Sequence, residues 1–216
     1  VSLTPTERSA LDAQLERVHA ATGIRVLAAE IGKADTYEEL AWRAFALGAS
    51  LAGLAVLALD ALPARPTAPL PTLLATVIPL AAGALAALLA ILVPAFARLL
   101  LHEARAEIEV GQYAQGLFLR HELFNTPRRD AVLLLLSRFE RRVHILPDTG
   151  LATTLGAAEC SAVIGRMKPS LRAGRSSEAL LTGLVALQEI LVRAGRHAAD
   201  GARSDPAEPV IEEPGA

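Results

Sequence analysis

The sequence predicts an α/β fold, a small sheet covered by helices and interrupted by a two-helix transmembrane hairpin. Three observations predict it. Two apolar runs, uncharged from Ala44 to Leu59 and again from Pro66 to Ala97, occupy the middle of the chain. Segments of strand character stand on both sides of them, IRVLAAEIG before and AVLLLLS and RVHIL after. Neither flank holds enough partners to close a sheet by itself, so the two are expected to join into one domain that the hairpin interrupts.

The first soluble stretch, residues 1–39, opens with a helix-start signal. Thr4 is placed to cap, Pro5 to take the first helical position and Glu7 to reach back to the orphan amide. Leu11, Leu15 and Val18 recur on one helical face, and Gly23 supplies the stop. Ile24 to Gly32 then reads as a strand, and KADTYEEL leads towards the apolar segment.

Residues 40–101 are expected to form the hairpin, with spans at about 41–62 and 72–97. A spanning helix needs roughly 20 predominantly apolar residues. Arg43 and Asp60 fall near the ends of the first run, where charge costs less than at the bilayer centre, and Trp42 suits the membrane–water interface. Pro63, Pro66, Pro69 and Pro71 make a stiff elbow between the runs. Kinks are expected near Pro79 and Pro94, and Gly48, Gly53 and Gly83 would let the two helices approach closely. Lys33, Arg43, Arg98 and Arg105 flank the outer ends, against Arg65 alone in the elbow. The positive-inside rule therefore predicts a multi-pass protein of the cell membrane with its soluble domain in the cytoplasm.

Residues 102–198 complete the domain. LLHEARAEIEVGQYAQGLFLRHELF is helical in pattern, its first part a continuation of the membrane helix. Ala131–Ser137 is a continuous apolar run of strand length, as expected for a strand covered on both faces. A polar turn follows, then the alternating Arg142–Leu146, so the pair predicts a β-hairpin. Two amphipathic helices close the domain, about Leu155–Met167 and Ser176–Arg193, parted by Gly174. Residues 199–216, acidic and rich in proline and glycine, are expected to be a disordered tail.

The stretch FLRHELFNTPRRDAVLLLLSRFERRVHILPDTGL resembles the TPM-domain family. Val132 to Leu136 match its buried strand, Arg142, Val143 and Ile145 its second strand, and Asp148, Gly150 and Leu151 the turn that follows. LTPTERSALDAQLERVHAATGIRVLAAE looks like the opening helix and strand, and IGRMKPSLRAGRSSEALLTGLVALQEIL like the closing helix pair. The resemblance implies a three-layer domain with a small mixed sheet, and it carries the family's phosphatase label. It also implies a divalent ion at one sheet edge, with Asp130 standing where the family has Asp-Asn-Gly, here Arg129-Asp130-Ala131 without the glycine.

The chemistry in the sequence is thin. The candidate metal ligands are Asp130, entering one strand of the hairpin, and Asp148, leaving the next; antiparallel pairing brings such positions to one edge, where Ca²⁺ or Mg²⁺ would relieve their repulsion. The alternative for the same residues is a solvated loop for Asp130, an Asx turn for Asp148 and neutralisation by Arg128 and Arg129. No catalytic residue is assigned. The five histidines are scattered without metal-ligand spacing, His144 being expected on the outer side of its strand, and RAGRSSEALLTG lacks the lysine and preceding strand of a phosphate loop. Cys160, the single cysteine, reads as a core thiol. Arg138, Arg141 and Arg142 make a basic turn, solvated or facing anionic lipid. A net charge of −2 and a pI near 6.2 give no electrostatic footprint for nucleic acid. Two function classes result. One is a non-enzymatic binding or scaffolding module engaging the lipid bilayer and a membrane-protein partner. The other is a metal-dependent phosphatase using Asp130 and Asp148.

Overall fold

The computed structural model describes residues 3–61, 72–198 and 209–215. The chain divides into two compact units, Val1–Asp35 with Ala106–Ala216, and the inserted Thr36–Arg105. The proline elbow and residues 199–208 of the expected tail lie outside the described residues.

The first unit starts with α1 (Pro5–Thr22). Thr4 accepts from the Glu7 amide at 3.3 Å while its own amide donates to the Glu7 carboxylate at 2.8 Å, a closed capping box. Gly23 ends the helix at φ 69°, a left-handed conformation that suits a residue without Cβ. Strand β1 (Arg25–Lys33) follows. The chain returns from the insertion within α5 (Glu103–Arg120), then forms β2 (Ala131–Ser137) and β3 (Arg142–Pro147). A 3₁₀ turn (Thr149–Leu151), α6 (Ala157–Arg172) and α7 (Ser176–Arg193) complete the series.

The sheet is mixed and ordered β3-β2-β1, with a fourth strand, β4 (Ile211–Gly215), on the far side of β1. Strands β1 and β2 are parallel from Arg25↔Ala131 to Ile31↔Ser137, and β2 pairs antiparallel with β3. The expected union of the two flanks is therefore present. The disordered-tail expectation is corrected at its end. Ile211, Glu212 and Glu213 pair in parallel with Ala29, Glu30 and Ile31. Val210 is buried and its amide donates to Asp12 at 2.8 Å, while Tyr113 and Arg120 both donate to Glu213, at 2.5 and 3.1 Å. An acidic segment joins the sheet because its carboxylates meet donors on α1 and α5.

Period-two alternation sorts the sheet into two cores. Val26, Ala28, Val132, Leu134 and Leu136 pack under α1, α6 and α7; Leu27, Ala29, Ile31, Leu133 and Leu135 pack against Val110, Ala114 and Leu117 of α5. The result is three layers, helices on both faces of a sheet whose central strands are mostly apolar, with Glu30 the buried charged residue of β1. Cys160 is half-buried beside the first core, its thiol donating to the Leu155 carbonyl at 3.8 Å, and burial raises its pKa. His144, expected to face outward, is instead half-buried on β3, and desolvation lowers its pKa against the opposing pull of Glu107.

The inserted unit contains α2 (Glu38–Asp60), α3 (Thr72–Leu92) and α4 (Pro94–Leu100). The first helix starts a few residues earlier than expected and the second ends sooner. Pro79 is accommodated inside α3, whereas at Pro94 the helix breaks: Val93 turns extended and proline takes the first position of α4. The expected continuation into α5 is also corrected, because Leu101 is extended and separates α4 from α5. A Cβ on Gly48 would come within 2.8 Å of the Ala86 methyl, and one on Gly83 within 2.9 Å of the Phe45 carbonyl, so these two glycines set how closely α2 and α3 approach. Gly53 faces Pro79 at an ordinary 3.8 Å and is not needed for the contact. The outer ends of the unit meet, since Arg43 donates to the Leu100 carbonyl at 3.4 Å and Arg105 pairs with Glu39 at 3.0 Å.

Candidate functional site

The two carboxylates singled out by sequence lie at one edge of the sheet. The Asp148 amide donates to the Ala131 carbonyl at 2.8 Å, which ties the end of β3 to the start of β2. Both side chains are almost fully buried. The Asp130 amide donates to the Thr126 hydroxyl at 3.0 Å, which fixes the loop that leads into β2.

Each carboxylate has its own guanidinium. Arg128 Nε stands 2.8 Å from Asp130 Oδ2. Arg129 Nε donates to both oxygens of Asp148, at 2.9 and 3.2 Å. Asp148 Oδ1 also accepts from the Thr149 amide at 2.7 Å and so caps the 3₁₀ turn, an Asx-type arrangement. Both arginines are about half exposed, at 55% and 51%, so they cover the buried acids from the solvent side. Arg129 adopts φ 53°, a left-handed backbone for a residue with a Cβ. Gly150 is required by proximity, because a Cβ there would collide with the carbonyls of Arg128 and Arg129. Its amide donates to the Arg129 carbonyl at 2.8 Å, and its carbonyl accepts from Arg196 at 2.8 Å.

This geometry combines the two readings left open by the sequence. The aspartates share an edge, but two guanidiniums and a backbone amide occupy oxygens that a cation would need. No group of three or more His, Cys, Asp or Glu residues able to hold a metal is found among the described residues. Ca²⁺ and Mg²⁺ take six or more oxygen ligands. As arranged, the residues do not fit such an ion unless both arginines withdraw. The chemistry here is charge neutralisation at the end of two strands.

The basic turn is likewise engaged. Arg138 faces Glu30 at 3.5 Å and Arg142 faces Glu107 at 3.7 Å. Glu30 itself went unremarked in the strand pattern. It sits at the end of the sheet opposite the aspartates, where β1 meets Leu136 of β2. The signal was available, since an acid on the row of Val26 and Ala28 is directed by alternation into the core under α1 and α7.

A family model described as the TPM domain matches residues 91–190, from the end of α3 into α7. The fold is also similar to the NMR structure of the BA42 protein from the psychrophilic bacterium Bizionia argentinensis. That likeness has a TM-score of 0.58 at 9% identity and covers 98% of this chain and 96% of that one. At such low identity it speaks for the fold alone. No curated protein matches the chain. Helices α5 and α6, the paired strands β2 and β3 and most of α7 fall within the family match, and residues 91–190 therefore match the TPM domain, the family that the motifs outside the hairpin resemble.

Proposed function

We propose that the chain is a membrane-tethered, non-enzymatic binding or scaffolding module, which holds its TPM domain beside the bilayer to engage a membrane-protein partner. The observation that carries this reading is the apolar surface of the inserted unit. Helices α2 and α3 are long and apolar enough to cross a membrane, with only 17% and 11% of their most apolar stretches buried. Leu51, Leu54, Leu57, Leu73, Ile91 and Leu92 are each more than three-fifths exposed. A patch of that size in water would drive association, whereas a lipid bilayer covers it. The joined outer ends, Arg43 to Leu100 and Glu39 to Arg105, suit a hairpin that enters and leaves on one side. The positive-inside asymmetry puts that side in the cytoplasm of a multi-pass protein. Tethering in two dimensions raises the effective concentration of any partner in the same membrane, so a modest interface suffices.

The test is extraction of the full chain from expressing cells. Retention in the membrane pellet through alkaline carbonate supports the reading, and release into the supernatant overturns it. Protease treatment of intact against opened cells then fixes the side, with protection of residues 103–198 in intact cells expected.

A second reading, the metal-dependent phosphatase of the family label, is favoured by one observation, the shared edge of Asp130 and Asp148. Calorimetric titration with Ca²⁺ or Mg²⁺ tests it. Binding that is lost in Asp148→Ala, with chelator-sensitive phosphatase turnover lost in Asp130→Asn, would establish it. Silence in the wild type would end it.

A further inference from the structure

Glu30 has only 3% of its side-chain surface exposed and lies towards the carboxyl end of β1, an interior strand, beside Leu136 on β2 and Glu212 on β4. Oε1 faces Arg138 at 3.5 Å. Oε2 is buried and has no hydrogen-bond partner among the described residues. Leaving a buried carboxylate oxygen unsatisfied is costly, and native structures seldom do so without a reason. The residue does not face packed apolar side chains alone. It lines a cavity of about 580 Å³ with Leu3, Glu7, Arg138 and the start of α7 at Ser176 and Ser177.

The charges around this cavity select the ligand. Among the described residues, Glu7 is held by neutral donors, the Thr4 amide and hydroxyl at 2.8 and 2.7 Å and the Ser177 hydroxyl at 2.5 Å. Those bonds favour its ionised form and pull its pKa down to about 2. Glu178 and Arg175 neutralise each other at 2.7 Å. Glu212, which also acts on Glu30, is paired with Arg8 at 3.0 Å. Among the described side chains that line the cavity, what remains is Glu7 and Glu30 against Arg138, a surplus of negative charge. The first turn of α7 has no side-chain cap and would attract an anion, but the acids on the same walls repel one. A hard divalent ion finds too few oxygens here. An ammonium group fits: it carries one positive charge and three donors, and an alkyl stem has Leu3 to lie against.

We infer that this cleft, at the carboxyl ends of β1 and β2, binds an alkylammonium group through the unpartnered oxygen of Glu30. Open α/β sheets commonly place ligands at that end of parallel strands. The group belongs either to a small free polyamine or to a lysine side chain of a partner peptide, and the recognising chemistry is the same. The inference does not depend on the membrane reading, because every residue in it belongs to the soluble unit.

The test is calorimetry on the full chain in detergent micelles, with 1,4-diaminobutane, an acetylated Gly-Lys-Gly amide, MgCl₂ and inorganic phosphate as separate titrants. Millimolar or tighter binding of at least one ammonium probe is expected, and the stronger of the two identifies the source. Affinity should fall tenfold or more in Glu30→Gln. It should fall equally in Ser176→Leu, which fills the cavity mouth and removes the hydroxyl that acts on Glu30 but leaves Arg138 in place. Circular dichroism melting establishes that each variant is folded, and the Ser176→Leu result decides alone if Glu30→Gln is not. The inference is overturned if neither ammonium probe binds, if binding survives Ser176→Leu, or if Mg²⁺ or phosphate binds in a manner that Ser176→Leu abolishes.

Discussion

Arg129 and Asp148 hold each other at two points, with Nε 2.9 Å from one carboxylate oxygen and 3.2 Å from the other. The acid is buried and the base half exposed, so the contact is a lid over a charge rather than a surface ion pair. It also holds Arg129 in a left-handed backbone, since the same turn must deliver its carbonyl to the Gly150 amide. Side-chain pairing and backbone strain therefore meet in one residue, and substitutions can separate them.

Arg129→Ala leaves the Asp148 carboxylate without its guanidinium. Breaking a fully buried pair costs about 3–5 kcal/mol, and the half-open arginine reduces this to roughly 2 kcal/mol. Arg129→Gly removes the same pair but relieves the left-handed conformation, worth about 1 kcal/mol. Thermal unfolding in detergent should rank wild type above the glycine variant and the glycine variant above alanine. Equal losses in the two would show that the turn carries no strain.

Glu30 should give a pH signature. Desolvation raises its pKa in the folded chain above the ordinary glutamate value of 4.5, Arg138 and Ser176 opposing and Glu212 adding to the rise. Below pH 4.5 the side chain is protonated folded and unfolded, and Glu30→Gln should match the wild type. As pH climbs from 4.5 through the raised folded value, the unfolded chain sheds the proton first and the wild type loses stability. The melting temperature of Glu30→Gln should therefore exceed that of the wild type at pH 7, the gap closing at pH 4. A gap of the opposite sign would mean that Arg138 outweighs burial.

The hairpin contact makes a prediction about two glycines of similar appearance. Gly48→Leu forces a side chain into the space taken by Ala82 and Ala86 and should cost about 1–3 kcal/mol by overpacking. Gly53→Leu, against Pro79 at 3.8 Å, should be tolerated. Comparison of the two melting curves in micelles checks this. Equal sensitivity would mean that the helices do not cross at Gly48.

Deleting residues 209–216 uncovers the β1 edge and removes Val210 from the core. Burial of one valine is worth at least about 1.5 kcal/mol, so the loss should be of that size or larger. Hydrogen exchange should accelerate at the amides of Ala29 to Lys33 that face β4. Unchanged protection there would mean that the terminal strand adds nothing to the sheet.

Local signals survive translation into structure because they depend on neighbours in sequence. The Thr4–Glu7 capping box, the Gly23 stop and the apolar Ala131–Ser137 strand all act within a few residues, and each stands where the sequence puts it. The pairing of the flanks was also legible, since a strand buried on both faces demands neighbours on either side. The terminal strand was not, because IEEPG looks like solvated tail until Tyr113, Arg120 and the β1 edge are brought to it. His144 was misplaced for a related reason. Alternation says that it differs from its neighbours, but not that α5 lies on the other side.

Most of the elements, the apolar hairpin and the residues of each strand that share a face follow from local pattern, because periodicity and capping are short-range. How the buried charges are matched was settled largely by long-range packing. Asp130 and Asp148 were brought to one edge as expected, yet each met an arginine from the loop before β2. Glu30 was left with an oxygen unpaired beside a cavity. The arginine on Asp130 comes from two residues away and was legible in the sequence, whereas Arg129 reaches Asp148 and Arg138 reaches Glu30 only because the sheet brings separate strand ends together.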